Sequence, residues 1–279
     1  MFYSREEMFD MSLGGKSTEH EIPHWCGNIA YVVVALILKI CFRYHVSNRE
    51  VLRSVKGKGG VVIVAHHTSY LDVAFLWCSV RPSQWVRLMA RDSLFEAARG
   101  LGGQIIARAG AFPVKRDSAD RTSLKRAARM LKNQEVVGIF PEGTRRGKGS
   151  QVPQLHAGAA LVAKMGKAPL LPCTVRNAEY IKKKGERIRF PKVTVEFGSP
   201  VFLEDFDGFP KSERLEACTW YAMRECFALS SRIPADQVDM KSLFPDSMDY
   251  SEQIEALGLP KRREYIPEDA RIHAGSEDQ

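Results

Sequence analysis

Several features are missing from this sequence of 279 residues, and each absence disfavours a class of protein. The six cysteines are scattered and include no C-x-x-C pair, which disfavours a structural zinc site or a disulfide framework and suits a reducing compartment. No basic stretch followed by an apolar run stands near the N-terminus, so a secretory signal is not expected. Internal repeats are absent, as is the interleaving of aromatic and basic residues typical of nucleic-acid binders.

Long apolar runs are also scarce, with a single one at residues 29–42 (IAYVVVALILKICF), interrupted by Lys39. As a helix this run would measure about 21 Å, less than the hydrocarbon core of a bilayer at about 30 Å. Two interpretations are open: a core helix buried in the fold, or a helix that lies in or dips into a membrane. The second is favoured by flanking residue types that settle among lipid headgroups, namely Trp25, Tyr31, Arg43 and Tyr44.

Positive charge is in excess, because 41 Lys and Arg stand against 33 Asp and Glu for a net charge of +8. This excess favours a negatively charged partner, such as nucleic acid, anionic lipid or a phosphorylated substrate. Charge is the only feature that suggests nucleic acid, so no nucleic-acid partner is expected. Four basic residues share a face of a predicted helix and are candidates for contact with anionic lipid, or simply a solvated face: Lys125, Arg126, Arg129 and Lys132.

Strand-like and helix-like stretches alternate from residue 60 onward. This alternation predicts an α/β fold in which a central mixed β-sheet is flanked by helices. The predicted strands are 61–66, 85–90, 111–116, 135–140, 170–175 and 192–197, and the predicted helices are 72–80, 93–100, 120–133, 156–166 and 211–230.

Three loops that follow predicted strands carry reactive or charged side chains: HHTSYLD (66–72), GAFPVKR (110–116) and FPEGTRR (140–146). Active sites of open α/β sheets lie at the carboxyl ends of the strands. Each of the last two loops, taken alone, could be a turn or a strand end with solvated basic residues. The prediction of a site therefore depends on the three loops converging.

In the first loop, His67 and Asp72 have the H-x4-D spacing. The histidine leaves a buried strand and the aspartate opens a helix, so the loop can bring the carboxylate against the imidazole. A carboxylate on one ring nitrogen fixes the tautomer and leaves the other nitrogen to take a proton from a hydroxyl. A metal would need a third ligand, and none of the other five histidines lies in a comparable loop, so no metal is expected. Ser69 lacks the G-x-S-x-G surroundings of a nucleophile.

Four blocks in order, HTSYLD (67–72), GAFPVKR (110–116), FPEGTRR (140–146) and APLLPCTV (168–175), resemble the glycerolipid acyltransferases, specifically the bacterial 1-acyl-glycerol-3-phosphate acyltransferase type. The resemblance covers roughly residues 50 to 205. It implies an acyltransferase domain at 49–230 and, before it, an N-terminal segment (1–48) with a membrane-associating helix. A polar, loosely ordered tail is expected at 231–279.

The resemblance implies a role for each matching residue. His67 would be the general base and Asp72 its orienting partner, with no cofactor needed. Arg116 and Arg145 would bind the phosphate of the acceptor. Glu142 and Gly143 would shape the glycerol site, and Pro172 would lie near the acyl pocket. The full set of predicted substrate-binding residues is Lys115, Arg116, Glu142, Gly143, Thr144, Arg145 and Pro172.

Two positions depart from the pattern of the family. His66 stands where an asparagine is common, and Arg146 stands where a serine is common. The first could change the hydrogen bonding of the loop, and the second could alter the headgroup preference. Neither departure removes a group that the chemistry requires.

The implied reaction moves a fatty acyl chain from acyl-CoA or acyl carrier protein to the sn-2 hydroxyl of 1-acyl-glycerol-3-phosphate, giving phosphatidic acid. The expected partners are this lysophospholipid, the thioester donor and an anionic membrane surface, with the protein at the cytoplasmic face of the cell membrane. Other possibilities are a different lipid acceptor (a glycolipid or an ornithine lipid), a lipid hydrolase, and a membrane-binding module without activity.

Overall fold

The computed structural model describes residues 3–13, 21–54, 59–82, 84–97, 100–114, 120–143, 145–146, 152–182 and 185–259. Within these ranges, seven strands form one sheet: β1 (His45–Ser47), β2 (Val61–Ala65), β3 (Val86–Arg91), β4 (Phe112–Val114), β5 (Val136–Ile139), β6 (Leu170–Arg176) and β7 (Thr194–Phe197). The α-helices there are α1 (Arg5–Phe9), α2 (His24–Phe42), α3 (Arg49–Ser54), α4 (Asp72–Val80), α5 (Leu101–Arg108), α6 (Arg121–Lys132), α7 (Gly158–Gly166), α8 (Arg214–Ser231), α9 (Met240–Leu243) and α10 (Ser251–Ala256).

The sheet is mixed, which confirms the predicted fold class. Its strand order is β1-β7-β6-β2-β5-β3-β4. Neighbouring strands are parallel except for β6 and β7, which are antiparallel. The strands β1 and β7 therefore run opposite to the other five, whose carboxyl ends all lie at one edge of the sheet.

Helices cover the sheet on both faces, as alternate residues of the central strand β2 show. Val62 and Val64 pack into a core with α6, α7 and α8. Val61 and Ile63 pack into a second core with α2 and α4 on the other face. All five residues of β2 are buried, because successive side chains of a strand point to opposite faces and both faces are covered.

One predicted helix is wrong, although each of the other predicted strands and helices overlaps an observed element. The segment 93–100 contains a 3-10 turn at Asp92–Phe95, and α5 begins only at Leu101. The sequence did not predict α5 because its first turn contains glycines, and glycine is a poor helix former. Gly103 is needed there because a Cβ atom would collide with the carbonyl oxygen of Phe95.

The prediction of a loosely ordered tail from residue 231 is wrong up to Leu259. The helices α9 and α10 and the residues around them add buried side chains to the core beneath α8. These buried residues occur singly among polar ones in short elements, so the sequence shows no helical periodicity that would predict them. They are Met240, Phe244, Tyr250, Ile254 and Leu259. Residues 260–279 lie outside the described residues.

Part of the basic face of α6 binds the N-terminal segment. The carboxylate of Asp10 accepts from Arg126 at 2.8 Å and from Arg129 at 2.5 Å. These hydrogen bonds, chiefly the one from Arg126, lower the pKa of Asp10 to about 2. Two of the four residues considered for contact with lipid are therefore committed to an intramolecular ion pair.

The apolar run forms a longer helix than predicted, since α2 begins at His24 and has 19 residues. At 1.5 Å per residue it is about 28 Å long. Among the described residues, it is the one helix that is long and apolar enough to cross a membrane. One face packs on the domain through Gly27, Leu38 and Phe42. The opposite face exposes Trp25, Ile29, Val32, Val33, Leu36, Ile37 and Ile40.

Candidate active site

A cavity of about 1230 Å³ lies at the carboxyl ends of the parallel strands. His67, which follows β2, lines this cavity together with residues 140–143, which follow β5. The ends of β3 and β4 complete this part of the wall. Of the three loops that sequence reasoning placed at a common edge of the sheet, the first and third meet because β2 and β5 are neighbours. Ala111 and Val114 of the other loop line the same cavity.

His67 and Asp72 form a hydrogen-bonded pair at the cavity wall. The Nδ1 atom of His67 lies 3.0 Å from Oδ2 of Asp72. The same oxygen accepts from the backbone N–H groups of Thr68 and Ser69, each at 2.7 Å, so the carboxylate is fixed in place. Asp72 is fully buried. Because a carboxylate on Nδ1 keeps the ring proton there, Nε2 is the nitrogen left to accept a proton.

The backbone of His67 is held by the loop that follows β5. Its N–H donates to Oε2 of Glu142 at 3.0 Å, and its carbonyl oxygen accepts from the N–H of Arg146 at 2.8 Å. Its ring stacks on Phe140 with the ring centroids 4.4 Å apart. Burial raises the pKa of Glu142 above its ordinary value, while the neighbouring Arg146 guanidinium opposes that rise. Hydrogen bonds and ring stacking therefore join the two loops around the imidazole.

The remaining predicted site residues fall into three groups. Gly143 lines the cavity beside Glu142 and has a φ of 63°, a left-handed conformation that favours glycine. The guanidinium carbon of Arg145 lies 3.3 Å from the ring centroid of Tyr70, an exposed residue that also lines the cavity. The structure thus presents Arg145 on an aromatic platform beside the cavity. Lys115, Arg116 and Thr144 lie outside the described residues.

Pro172, which the resemblance predicts to lie near an acyl pocket, belongs to the central sheet. Pro172 lies inside β6, opposite Val64 of β2, and its carbonyl oxygen accepts from the N–H of Gly198 at 2.8 Å. It is buried in the sheet and does not line the cavity. The sequence block to which it belongs is a central strand, and its residues serve the core.

The two adjacent histidines lie in different surroundings. The ring of His66 is buried and stacks on Phe227 with the ring centroids 5.0 Å apart, away from the cavity wall. Burial lowers the pKa of His66 to about 4, so the ring is neutral at neutral pH. No group of three His, Cys, Asp or Glu side chains suited to a metal occurs within the part of the chain that the structure describes. His66 is therefore an aromatic support for the loop, and His67 is the histidine that reaches the cavity.

Sequence reasoning missed two contributors to the cavity. Arg91 ends β3, lines the cavity and lies opposite Val114, the residue before Lys115. The rule that selected the three loops would also have found it, since the predicted strand 85–90 ends directly before it. The helix α2 also lines the cavity, through Cys26, Gly27, Ala30 and Val34, and no sequence signal indicated this.

A histidine oriented by a buried carboxylate at the wall of a mainly apolar cavity defines a group-transfer or hydrolytic enzyme with an apolar substrate. The sequence profile of the Acyltransferase family matches residues 43–176, which include both loops around His67.

Two similar proteins indicate which kind of acyltransferase this chain resembles. The 1-acyl-sn-glycerol-3-phosphate acyltransferase of Bacillus subtilis is 33% identical over 198 residues, 70% of this chain and 90% of that protein. The Streptococcus pneumoniae protein of the same name is 27% identical over 62% of this chain and 61% of its own length. The chain belongs to the 1-acyl-sn-glycerol-3-phosphate acyltransferase family, and it is an acyltransferase.

The fold agrees with a solved member. The crystal structure of the 1-acyl-sn-glycerophosphate (LPA) acyltransferase PlsC from Thermotoga maritima superposes with a TM-score of 0.54 at 20% identity. The similarity covers 76% of this chain and 83% of that one.

Proposed function

We propose that the protein transfers a fatty acyl chain from an acyl thioester to the sn-2 hydroxyl of 1-acyl-glycerol-3-phosphate, giving phosphatidic acid. The observation that carries the proposal is the 3.0 Å contact between His67 and Asp72 at the wall of the 1230 Å³ cavity. The cavity offers the apolar space that acyl chains need. The names of the relatives from Bacillus subtilis and Streptococcus pneumoniae support this acceptor.

The mechanism starts from the poor reactivity of an alcohol toward a thioester. Nε2 of His67 takes the proton of the acceptor hydroxyl while its oxygen attacks the thioester carbonyl carbon. The resulting tetrahedral oxyanion expels the thiolate, which takes the proton back from the imidazolium as the ester forms. Asp72 keeps the ring oriented and stabilises its charged form. The acceptor oxygen is itself the nucleophile, so the proposal includes no acyl-enzyme and no cofactor beyond the thioester of coenzyme A or acyl carrier protein.

An assay with a panel of lipid acceptors tests the proposal directly. The purified protein in detergent is incubated with an acyl thioester and, separately, with 1-acyl-glycerol-3-phosphate, a lysolipid without phosphate, or no acceptor, and products are identified by mass spectrometry. We expect phosphatidic acid from the first mixture and little product from the others. Preference for the acceptor without phosphate would point to a different lipid acceptor, and release of free fatty acid without acceptor would point to a hydrolase.

In this proposal Arg145 binds the phosphate of the acceptor, with Lys115 and Arg116 as further predicted ligands. Replacing Arg145 by glutamine should raise the KM for 1-acyl-glycerol-3-phosphate by roughly 10- to 150-fold, because a charge-assisted hydrogen bond contributes roughly 1.5–3 kcal/mol. Steady-state kinetics with varied acceptor measure this. The matched control is Arg189→Gln, an exposed arginine paired with Glu186. An unchanged KM in the Arg145 variant would remove it from the phosphate site.

We further propose that the exposed apolar face of α2 contacts the cytoplasmic face of the cell membrane, where the thioester donors are available. The inner face of α2 is committed to the domain and to the cavity wall, so the helix would lie along the lipid surface with its other face inserted. Basic side chains would add attraction to anionic lipid, about 1 kcal/mol each near the surface.

Replacing Ile37 by glutamate should weaken binding to anionic lipid vesicles at least tenfold, since a charge on this face opposes insertion. Ile37 is 51% exposed, so the change leaves the core intact. The control is Ile233→Glu, a partly exposed isoleucine that follows α8 on the other face of the sheet. Cosedimentation with vesicles measures both variants. Equal binding of the two variants would contradict the role of α2.

A further inference from the structure

Arg146, the residue that replaces the common serine, occupies a junction between three parts of the chain. Its side chain is 19% exposed and forms an ion pair with Glu142. It also donates to the carbonyl oxygen of Leu243 at 3.2 Å. Two aromatic rings flank the guanidinium, with centroids 4.7 Å (Phe227) and 4.6 Å (Phe244) from its central carbon. The residue thus joins the loop after β5 to α8 and to the segment around α9.

Both backbone polar groups of His67 are hydrogen-bonded either to the backbone of Arg146 or to its ion-pair partner Glu142. The carbonyl oxygen of His67 accepts from the N–H of Arg146 itself. The N–H of His67 donates to Oε2 of Glu142, while the other carboxylate oxygen of Glu142 is the one paired with Arg146. Residue 146 therefore contacts His67 directly through its backbone, whereas the arginine side chain acts on His67 through Glu142.

We propose that Arg146 is a positioning residue for the His67 base. It keeps the Glu142 carboxylate charged and aimed at the N–H of His67, and it anchors this unit on Leu243 and Phe244. The buried carboxylate needs such a partner, because a buried charge without one is strongly destabilised. The inference explains why residues 240–244 fold against the domain close to the site. It rests on the proposed function in that His67 is taken as the base.

The alternative role, that of a phosphate ligand, does not fit the contacts of Arg146. Its Nε atom is engaged by Glu142 and one of its terminal nitrogens by Leu243. The rings of Phe227 and Phe244 occupy the space next to its plane. The two roles predict different kinetics: loss of a positioning residue lowers kcat, whereas loss of a phosphate ligand raises the KM for the acceptor.

The test replaces Arg146 by glutamine and measures kcat and both KM values for the full chain in detergent. A small displacement of the base should lower kcat about tenfold, since misplacement by about 1 Å can cost a factor of 10². The KM values for acceptor and thioester should stay within about twofold. A raised acceptor KM with unchanged kcat would overturn the proposal and make Arg146 a phosphate ligand. Unchanged kcat and KM would also overturn it.

A double-variant cycle separates positioning from general stability. If Arg146 acts through Glu142, the pair Arg146→Gln with Glu142→Gln should lose no more kcat than the worse single variant. If the kcat losses of the two single variants multiply in the double variant, this coupling is contradicted.

If Arg146→Gln fails to fold, Arg146→Lys is decisive, because it keeps the charge but cannot reach Glu142 and Leu243 together. It should lower kcat by a smaller factor with both KM values unchanged; a wild-type kcat would overturn the proposal.

Arg224→Gln is the matched control. Arg224 is also a buried arginine, 7% exposed, and its guanidinium lies 5.3 Å from the ring of Trp220 and 5.1 Å from that of Tyr221 in α8. Its loss should lower the melting temperature and leave kcat unchanged. The wild-type protein is assayed first. Absence of turnover there would refute the proposed function, whereas wild-type turnover with a fully active Arg146→Gln would refute only the role of Arg146.

Discussion

Replacing His67 by alanine should lower kcat for acyl transfer by roughly 10²–10⁴-fold, the usual contribution of a positioned general base. The acceptor hydroxyl then keeps its proton during attack, and the only imidazole paired with a buried carboxylate at the described part of the cavity wall is gone. The KM for the acceptor should change little, because the groups proposed to bind its phosphate remain. The measurement is steady-state turnover with 1-acyl-glycerol-3-phosphate and an acyl thioester in detergent.

Two further variants define what the loss means. Asp72→Asn should also lower kcat, because an amide can present its N–H to the ring and favour the wrong tautomer. His45→Ala should leave kcat unchanged, since His45 is an exposed residue of the edge strand β1. Near-wild-type turnover of His67→Ala would show that the base is another group. An equal loss in His45→Ala would show that the assay reports folding and not chemistry.

Much of the fold and the centre of the site could be predicted because both follow from local patterns. β2 is a short apolar run with reactive residues directly after it, and α4 begins at Asp72 as predicted. In a parallel arrangement these features fix the side of the sheet on which His67 and Glu142 must meet. The resemblance to a known family then assigned roles to these positions that no spacing alone would give.

The remainder could not be predicted because it depends on contacts between distant segments. A helix that lines a cavity and a helix that covers a core have the same apolar pattern, so nothing marked the inner face of α2. Arg145 and Arg146 are adjacent and chemically identical, yet one lies on Tyr70 and the other pairs with Glu142. The contacts that distinguish them come from distant parts of the chain, namely the carbonyl of Leu243 and the ring of Phe227 in α8.

Replacing His66 by asparagine, the residue common in the family, should change how stability depends on pH. The pKa of His66 is lowered to about 4 by burial, from an ordinary value of 6.5. At pH values between these two pKa values, the imidazole of His66 is protonated in the unfolded chain but neutral in the folded protein. The wild-type protein therefore loses stability as the pH falls from about 6.5 to about 4, by roughly 3 kcal/mol in total for this group. Above about pH 6.5 the group makes no pH-dependent contribution.

Urea unfolding of wild type and His66→Asn at about pH 7.5 and about pH 4.5 measures this effect. Between these conditions the wild-type protein should lose roughly 2–3 kcal/mol more than the variant, because other titrating groups such as Glu142 are common to both and cancel. His45→Asn is the matched control, since His45 is an exposed residue of the edge strand β1 and the variant should follow the wild-type curve. If His66→Asn and wild type lose equal stability, the ring of His66 is solvated in the folded protein. The stacking on Phe227 would then not explain why a histidine can replace the asparagine beside the proposed base His67.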